Sequence, residues 1–345
     1  MTKRINVGRV PVGGGAPVSI QSMCNTKTDD AAATVAQILR LEEAGCEIIR
    51  VAVPDEAAAR ALDQIKERIH IPLVADIHFS HRLALMAAER GVDAIRINPG
   101  NIGSEERVKA VADACRQRGI PIRIGVNGGS LERELRAKYG GVTAEALVES
   151  AMGHVALLNR FDFDDICISV KCSDVPLTMA AYRLLSERTD YPLHLGVTEA
   201  GTPAMGMVKS AMGIGGLLCL GIGDTIRVTL TAVPVEEVWA ARKILKAAGL
   251  RKGGVNLIAC PTCGRTRIDL IPLAEEVERR LADCPKDITV AVMGCAVNGP
   301  GEASAADIGI AGGNGEGLLF RKGEILRKVP QDQLLDALMA EIEKL

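Results

Sequence analysis

The chain has 345 residues, of which 48% are hydrophobic and only 2% aromatic, and its formal net charge is −2 at pH 7. This balance argues against a nucleic-acid-binding protein, and no apolar run reaches the length of a membrane-spanning helix. The segment 2–7 shows no hydrophobic signal region. We therefore expect a cytoplasmic protein with one large and one smaller domain, whose ten cysteines are reduced thiols and metal ligands rather than disulfides.

A repeating unit extends from Val18 to Leu230, in which a short apolar run ends in polar residues and an amphipathic stretch follows. Stretches such as 31–44 and 56–69 have the apolar spacing of helices. The apolar runs interpreted as strands are 18–20, 48–51, 73–75, 94–97, 122–125, 166–170, 193–196 and 217–220. Eight such units predict an α/β fold, a TIM-type (β/α)₈ barrel over residues 1–250. A doubly wound sheet is the alternative, but no Gly-x-Gly-x-x-Gly turn follows the first strand.

Polar and charged residues lie in or directly after most of the predicted strands. The carboxyl ends of barrel strands form active sites, and an arginine at the end of a buried strand is costly unless an anion meets it. The candidate substrate-binding residues on the barrel are Arg50, His78, Arg96, Asn98, Arg123, Asn127 and Lys171, and the candidate catalytic residues are Asp76, Lys171 and Glu199. These residues predict a polyanion site. The alternative is a structural ion network in which the arginines pair with Asp76, Glu199 or Asp224.

Two glycine-rich stretches flank the run interpreted as the eighth strand. They are Lys209-Ser-Ala-Met-Gly-Ile-Gly-Gly216 and Gly221-Ile-Gly-Asp-Thr225. Barrels commonly bind phosphate in the loops after strands seven and eight, through backbone N–H groups. We therefore expect a diphosphate site here and add Lys209 to the candidate substrate-binding residues.

The last hundred residues have a different organisation. A helix over 234–250 ends the barrel, a linker over 250–254 follows, and residues 251–345 form the second domain. Its predicted order is a strand, a cysteine pair, a helix over 273–282, a second strand, a third cysteine, a glycine-rich β stretch through Phe320 and a helix over 331–344. This order predicts a small α+β domain.

Three cysteines of the second domain follow its two apolar runs. Cys260-Pro-Thr-Cys263 comes after 255–259, and Cys295 comes after 288–293. Two thiolates two residues apart bind one metal centre from a single turn, and a third thiolate from another strand end closes the site. The sequence therefore predicts a metal centre with three thiolate ligands.

The fourth ligand discriminates between metals. Structural zinc usually has four protein ligands, but no histidine follows His194 and Cys295 has no Cys-x-x-Cys partner. With Glu302 as the nearest oxygen donor, we favour a catalytic iron–sulfur cluster in which one iron is left for a displaceable ligand. Zinc and inert cysteines are the alternatives, and Cys284 is a weaker candidate ligand.

Three motifs resemble the 4-hydroxy-3-methylbut-2-enyl diphosphate synthase family. They are Ile20-Gln-Ser-Met23, Cys260-Pro-Thr-Cys263 and Gly294-Cys-Ala-Val-Asn-Gly-Pro-Gly-Glu302. The motifs are specific, and the resemblance covers nearly the whole chain. One departure is Leu220, which stands where many family members have a glutamate before Gly-Ile-Gly-Asp-Thr.

The resemblance implies an activity and its cofactor. Members reductively open 2-C-methyl-D-erythritol 2,4-cyclodiphosphate in the methylerythritol phosphate route to isoprenoids, with electrons from flavodoxin or ferredoxin. By position, Cys260, Cys263, Cys295 and Glu302 would ligate a [4Fe-4S] cluster, in a domain similar to a sulfite-reductase module. Glu302 would also be catalytic as the displaceable ligand, and Asn298 would help bind substrate.

Two other functions fit parts of the sequence. One is a zinc-stapled barrel lyase or aldolase that uses Lys171 as a Schiff-base lysine. The other is a non-catalytic iron–sulfur module that relays electrons or senses iron, although such a module needs no polyanion site. Visible absorption separates iron from zinc.

The chain direction predicts how the two domains meet. Each barrel helix runs opposite to its strand, so the helix over 234–250, roughly 25 Å long, carries the chain away from the catalytic end. A five-residue linker spans at most about 18 Å. We therefore expect a head-to-tail homodimer in which the cluster domain of one chain covers the barrel of the other.

Overall fold

The computed structural model describes residues 1–282, 284–296, 301 and 303–345. The chain divides into two units, Met1–Arg251 and Lys252–Leu345. In the described residues, no helix combines the length and apolar character needed to cross a bilayer.

The first unit is a barrel of parallel strands, which confirms the predicted fold class. A short hairpin, β1 (Ile5–Val7) and β2 (Val10–Val12), precedes it. The barrel strands are β3 (Ser19–Met23), β4 (Ile48–Ala52), β5 (Leu73–Asp76), β6 (Ala94–Ile97), β7 (Ile122–Asn127), β8 (Ile166–Lys171), β9 (His194–Leu195) and β10 (Thr225–Ile226). Their order is β8-β7-β6-β5-β4-β3-β10-β9, and a bridge between Ile168 and Leu193 joins the two ends of the sheet.

Helices cover the outside of the barrel. They are α1 (Ala31–Glu43), α2 (Glu56–Lys66), α3 (His81–Glu89), α4 (Pro99–Ile102), α5 (Glu105–Arg118), α6 (Arg133–Tyr139), α7 (Ala144–Asn159), α8 (Val175–Arg188), α9 (Pro203–Ser210), α10 (Gly216–Cys219) and α11 (Pro234–Ala247). Helices α1, α2 and α8 each begin after an aspartate, Asp30, Asp55 or Asp174, whose side chain accepts a hydrogen bond from a first-turn N–H. These caps satisfy N–H groups that have no partner inside the helix.

The hairpin closes the amino-terminal end of the barrel. Ile5, Val7 and Val12 pack in one buried group with Ile48 and Val74, which lie on β4 and β5. Burial of these aliphatic side chains holds the hairpin in place. The carboxyl ends of the strands lie at the opposite end of the barrel.

The eighth strand is not where the sequence pattern placed it. Residues 217–220 are largely helical: α9, a π-helix over Ala211–Gly215 and α10 follow one another without a break. Added methyl groups at Gly213 and Gly216 would lie 2.6 Å from Val197 and 2.9 Å from Met179. The glycines therefore allow close helix packing and do not form a loop, and the strand is Thr225–Ile226.

The second unit is a five-stranded sheet with helices. Its elements are β11 (Asn256–Ala259), α12 (Leu270–Leu281), β12 (Thr289–Met293), β13 (Ile308–Ala311), β14 (Glu316–Arg321), β15 (Glu324–Pro330) and α13 (Leu334–Glu343), which follows a 3₁₀ turn over Gln331–Gln333. Strands β11, β12 and β13 are parallel neighbours, and β14 and β15 continue the sheet antiparallel. Since β11 and β12 are parallel and adjacent, the residues that follow them lie at the same edge of the sheet.

Candidate functional site

Five basic side chains form a group inside the barrel, which we call the cation group. Its members are Arg50 on β4, Arg96 on β6, Arg123 on β7, Lys171 on β8 and Arg227 directly after β10. Their apolar strand neighbours, such as Ile49 and Val51, pack in the core beneath the helices. Because side chains alternate along a strand, the basic residues then point to the interior.

Arg227 is the member that the sequence pattern does not identify. The pattern favours residues 217–220 as the eighth strand, and Arg227 lies outside that run. The alternating stretch Thr225-Ile-Arg-Val228 is the available signal, since Ile226 and Val228 are buried in the helix-side core and Arg227 lies between them.

Two carboxylates neutralise part of the cation group. Asp76, at the end of β5, lies 3.1 Å from Nη1 of Arg96 and 3.5 Å from Nε of Arg50. Burial raises the pKa of Asp76, but Arg50 and Arg96 lower it by more, so its pKa is below the ordinary value. Glu237 of α11 lies 3.6 Å from Arg227, and burial raises its pKa. The structural ion network thus accounts for three of the five basic residues.

Arg123 and Lys171 have no carboxylate partner among the described residues. Nη1 of Arg123 donates to Gln21, while Nη2 is buried without a hydrogen-bond partner. Lys171 is 8% exposed. An added methyl at Gly196 would lie 2.5 Å from its Nζ and 2.9 Å from the carbonyl oxygen of Arg227, so glycine fits there without displacing the backbone. Burial, and then repulsion from Arg123, lower the pKa of Lys171 well below its ordinary value. Burial lowers the pKa of Arg123 to about 10. Such buried cations are stabilised by a bound anion.

Three further candidate residues lie at this end of the barrel. His78 is half exposed, with Nε2 3.9 Å from Asp76, and Asn127 ends β7. Glu199 lies in an exposed turn after β9 with a φ of 53°, a conformation that non-glycine residues rarely adopt. Strain of this kind is concentrated at functional sites.

The predicted place of Lys209 in a phosphate-binding loop is wrong. The residue lies in the last turn of α9, and the glycines after it belong to the π-helix and to α10 and not to a loop. Gly221 and Gly223 precede β10, at the amino end of the barrel. Leu220, 58% exposed, also precedes that strand, so the departure from the family motif does not remove a carboxylate from the carboxyl end.

His194 on β9 is another residue that the sequence pattern does not assign. It is fully buried, and neither ring nitrogen has a hydrogen-bond partner among the described residues. Burial, and then the charge of Arg123, lower its pKa well below the ordinary value, so the ring is neutral. It adds no charge to the cation group.

A carboxylate, Glu132, joins the loops after β6 and β7 to helix α7. Its Oε1 accepts a hydrogen bond from Ser150 at 3.0 Å and lies 3.1 Å from Nε2 of His154. An added methyl at Gly100, in α4, would lie 3.3 Å from the His154 ring and 3.5 Å from Oε1. The N–H of Gly100 donates to Oδ1 of Asn98 at 3.1 Å. The Asn98 oxygen is therefore engaged, and its amide nitrogen remains to donate to a ligand.

This contact predicts a pH-dependent stability. The pKa of Glu132 is lowered from 4.5 to about 2, and the interaction with His154 is the largest cause. A lowered pKa stabilises the fold above pH 4.5, and the contribution disappears as the pH falls from 4.5 towards 2. Glu132→Gln should lower the thermal midpoint of the metal-free protein at pH 7 by about 2 °C, a modest effect because the side chain is 35% exposed.

The measurement compares thermal midpoints of wild type and Glu132→Gln at pH 7, 4 and 3. The difference between the two thermal midpoints should shrink as the pH falls. Glu43→Gln, an exposed change at the end of α1, is the control and should show no gap. A gap that is independent of pH would show that the carboxylate charge is not what stabilises these loops.

The second candidate centre lies at one edge of the sheet in the second unit. Cys260 follows β11, and the N–H of Gly294, after β12, donates to its Sγ at 3.0 Å. Cys263 is exposed, and hydrogen bonding, first from the backbone of Arg265, lowers its pKa. Cys295 is the residue after Gly294. The thiols of two neighbouring strand ends therefore share one edge.

Three further candidate residues belong to the second unit. Asn298 and Glu302 lie outside the described residues. Cys284 packs against the hydrophobic core of the second unit, between α12 and β12. In the part of the chain that the structure describes, no three His, Cys, Asp or Glu side chains converge on a single ion. Cysteines on two adjacent strand ends, with Sγ of Cys260 accepting an N–H hydrogen bond, form a donor set that a multi-iron cluster can use, because its cysteines bind separate irons.

Known proteins resemble this chain over its whole length. A relative from Geobacter sulfurreducens, named 4-hydroxy-3-methylbut-2-en-1-yl diphosphate synthase (flavodoxin), is 62% identical over 344 residues, covering 100% of this chain and 98% of the relative. A relative of the same name from Caldanaerobacter subterraneus is 60% identical, covering 100% and 97%.

Solved structures show similarity of fold alone. Dihydropteroate synthase from Stenotrophomonas maltophilia superposes with a TM-score of 0.53 at 16% identity, covering 72% of this chain and 98% of that one. The chain itself matches the GcpE TIM-barrel domain over residues 2–242 and the GcpE protein C-terminal domain over residues 256–344. With both domains matched, this chain belongs to the GcpE family.

Proposed function

We propose that this protein reductively opens 2-C-methyl-D-erythritol 2,4-cyclodiphosphate to (E)-4-hydroxy-3-methylbut-2-enyl diphosphate. The observation that carries the proposal is the pair of buried basic side chains, Arg123 and Lys171, that have no carboxylate partner among the described residues. A cyclic diphosphate supplies the two negative charges that such a site needs. The names of the full-length relatives support the same product, 4-hydroxy-3-methylbut-2-en-1-yl diphosphate.

The proposed cofactor is a [4Fe-4S] cluster held by Cys260, Cys263, Cys295 and Glu302. The cluster would supply single electrons and one iron with a displaceable ligand. Reduced flavodoxin is the proposed electron donor, which the relatives' names support. The chain has no nucleotide-binding motif that would let it use a nicotinamide directly. Free cysteines support a cytoplasmic location.

The residues of the barrel bind and orient the substrate in this proposal. Arg123 and Lys171 neutralise the diphosphate, and the amide nitrogen of Asn98 donates to it. Asp76 stays ionised, because its pKa is lowered, and accepts a hydrogen bond from a substrate hydroxyl. Lys171, with its lowered pKa, readily gives up a proton from Nζ. The overall reaction takes up two electrons and two protons. It breaks the ring C–O bond to the diphosphate and the C–O bond of a hydroxyl, which leaves as water, and it forms the C=C bond of the product.

An anaerobic assay tests this function. Purified protein is incubated with the cyclic diphosphate and reduced flavodoxin, and the acyclic product is quantified together with iron. Product formation that depends on iron supports the proposal. Bound zinc without visible absorption would favour a lyase or aldolase, and bound iron without turnover of the cyclic diphosphate would favour an electron-relay module.

We further propose a head-to-tail homodimer in which each site combines the barrel of one chain with the cluster domain of the other. Arg251, the last residue of the first unit, donates to the carbonyl oxygen of Val18 at 3.0 Å. Val18 directly precedes β3, so the first unit ends at the amino end of the barrel. The residues from Arg251 to Asn256 span at most about 18 Å. This short reach supports a site shared between chains.

Complementation between two inactive variants tests the assembly. A Cys263→Ala chain lacks a cluster ligand and a Lys171→Ala chain lacks a barrel residue, so each alone should be inactive. In a mixed dimer, one site would carry both lesions and the other neither, and activity should reappear to as much as half of wild type per mixed dimer. If each site forms within one chain, the co-expressed pair will stay inactive.

A further inference from the structure

A threonine connects the two loops that carry the cysteines of the second unit. The backbone N–H of Cys263 donates to Oγ1 of Thr266 at 3.2 Å, and the N–H of Thr266 donates to the carbonyl oxygen of Cys263 at 3.0 Å. Thr266 therefore closes the turn that follows the cysteine pair. Its hydroxyl accepts one hydrogen bond and still has its own hydrogen to donate.

The same side chain packs against the loop after β12. A methyl added at Gly294 would lie 3.0 Å from both Cγ2 and Oγ1 of Thr266, so only glycine allows this approach without movement of a neighbour. The N–H of Arg267 donates to the carbonyl oxygen of Gly294 at 2.9 Å, and the N–H of Gly294 donates to Sγ of Cys260. Hydrogen bonds on both sides of Thr266 thus fix the spacing between the Cys263 turn and the residue before Cys295.

We propose that Thr266 is a positioning residue that holds Cys263 in register with the Cys295 loop, so that both can bind the same iron–sulfur group. This inference rests on the proposed cofactor. The contacts of Thr266 described above are to the two loops that carry the cysteines. Its substitution should therefore act first on iron retention.

The test compares Thr266→Val, which keeps the branched shape without the hydroxyl, with Thr266→Ser, which keeps the hydroxyl. Thr289→Val makes the same chemical change at the amino end of β12, at the opposite edge of the sheet, and is the control. Iron content after anaerobic reconstitution and the rate of iron loss to a chelator are measured. Circular dichroism checks the fold of each variant.

We expect Thr266→Val to lose iron several-fold faster than wild type, and Thr266→Ser to restore the wild-type rate. Failure of Thr266→Val to take up iron, with normal uptake by Thr266→Ser, also supports the proposal. Equal rates of iron loss in Thr266→Val and wild type would overturn it. Absence of iron from reconstituted wild type would instead overturn the cofactor assignment, so the two failures are distinguishable.

Discussion

Cys263→Ala is expected to lose the iron–sulfur cluster and all measurable turnover together. Cys263 is exposed, its pKa is lowered, and it shares a sheet edge with Cys260 and Cys295. With three thiolates available, removal of one leaves too few ligands to retain the irons. Iron and sulfide analysis after anaerobic reconstitution, with the visible spectrum, measures the loss.

Cys284→Ala is the matched control, because that thiol packs against the hydrophobic core and follows neither ligand strand. It should retain wild-type iron. Glu302→Ala should retain a more labile cluster and lose most activity, since its proposed role is that of the displaceable ligand. Loss of iron in Cys284→Ala would overturn the ligand assignment, and full turnover in Glu302→Ala would remove that residue from the mechanism.

Arg123→Gln is expected to weaken binding of the cyclic diphosphate by on the order of 2–5 kcal/mol, or roughly thirty-fold to several thousand-fold. The arginine is 6% exposed and has no carboxylate partner in the described part of the chain, so its neutral replacement leaves substrate charge unpaired in a partly dry site. Iron content should not change. Calorimetric titration of the oxidised protein with the cyclic diphosphate measures the affinity.

Arg60→Gln provides the control for this change. Arg60 is exposed on α2 and pairs with Glu56 one turn away, so its loss should leave affinity and iron content at wild-type values. If Arg123→Gln binds the substrate normally, the basic residues inside the barrel form a structural ion network. In that case, the polyanion site lies elsewhere.

The barrel and most of its basic residues are predictable from the sequence alone. Strands such as β4 and β7 carry Arg50 and Arg123 between apolar residues, and the alternation of a strand places such neighbours on opposite faces. The order of strand and helix along the chain then places the polar strand ends at one end of a barrel. The spacing of Cys260, Cys263 and Cys295 likewise indicates a metal centre, because thiolate ligands recur at short, characteristic intervals along a chain.

Tertiary structure decided the features that depend on contacts between distant residues. Strand β10 has two residues, and the alternation over 225–228 is a weaker signal than the apolar run 217–220. Its pairing with β3 and β9 defines the strand and so places Arg227 in the cation group. The glycines at 213 and 216 resemble a loop in sequence but are helical, and their lack of a side chain lets Val197 and Met179 pack closely against the helix. The contact of Thr266 with Gly294 joins residues 28 positions apart, which no local pattern encodes.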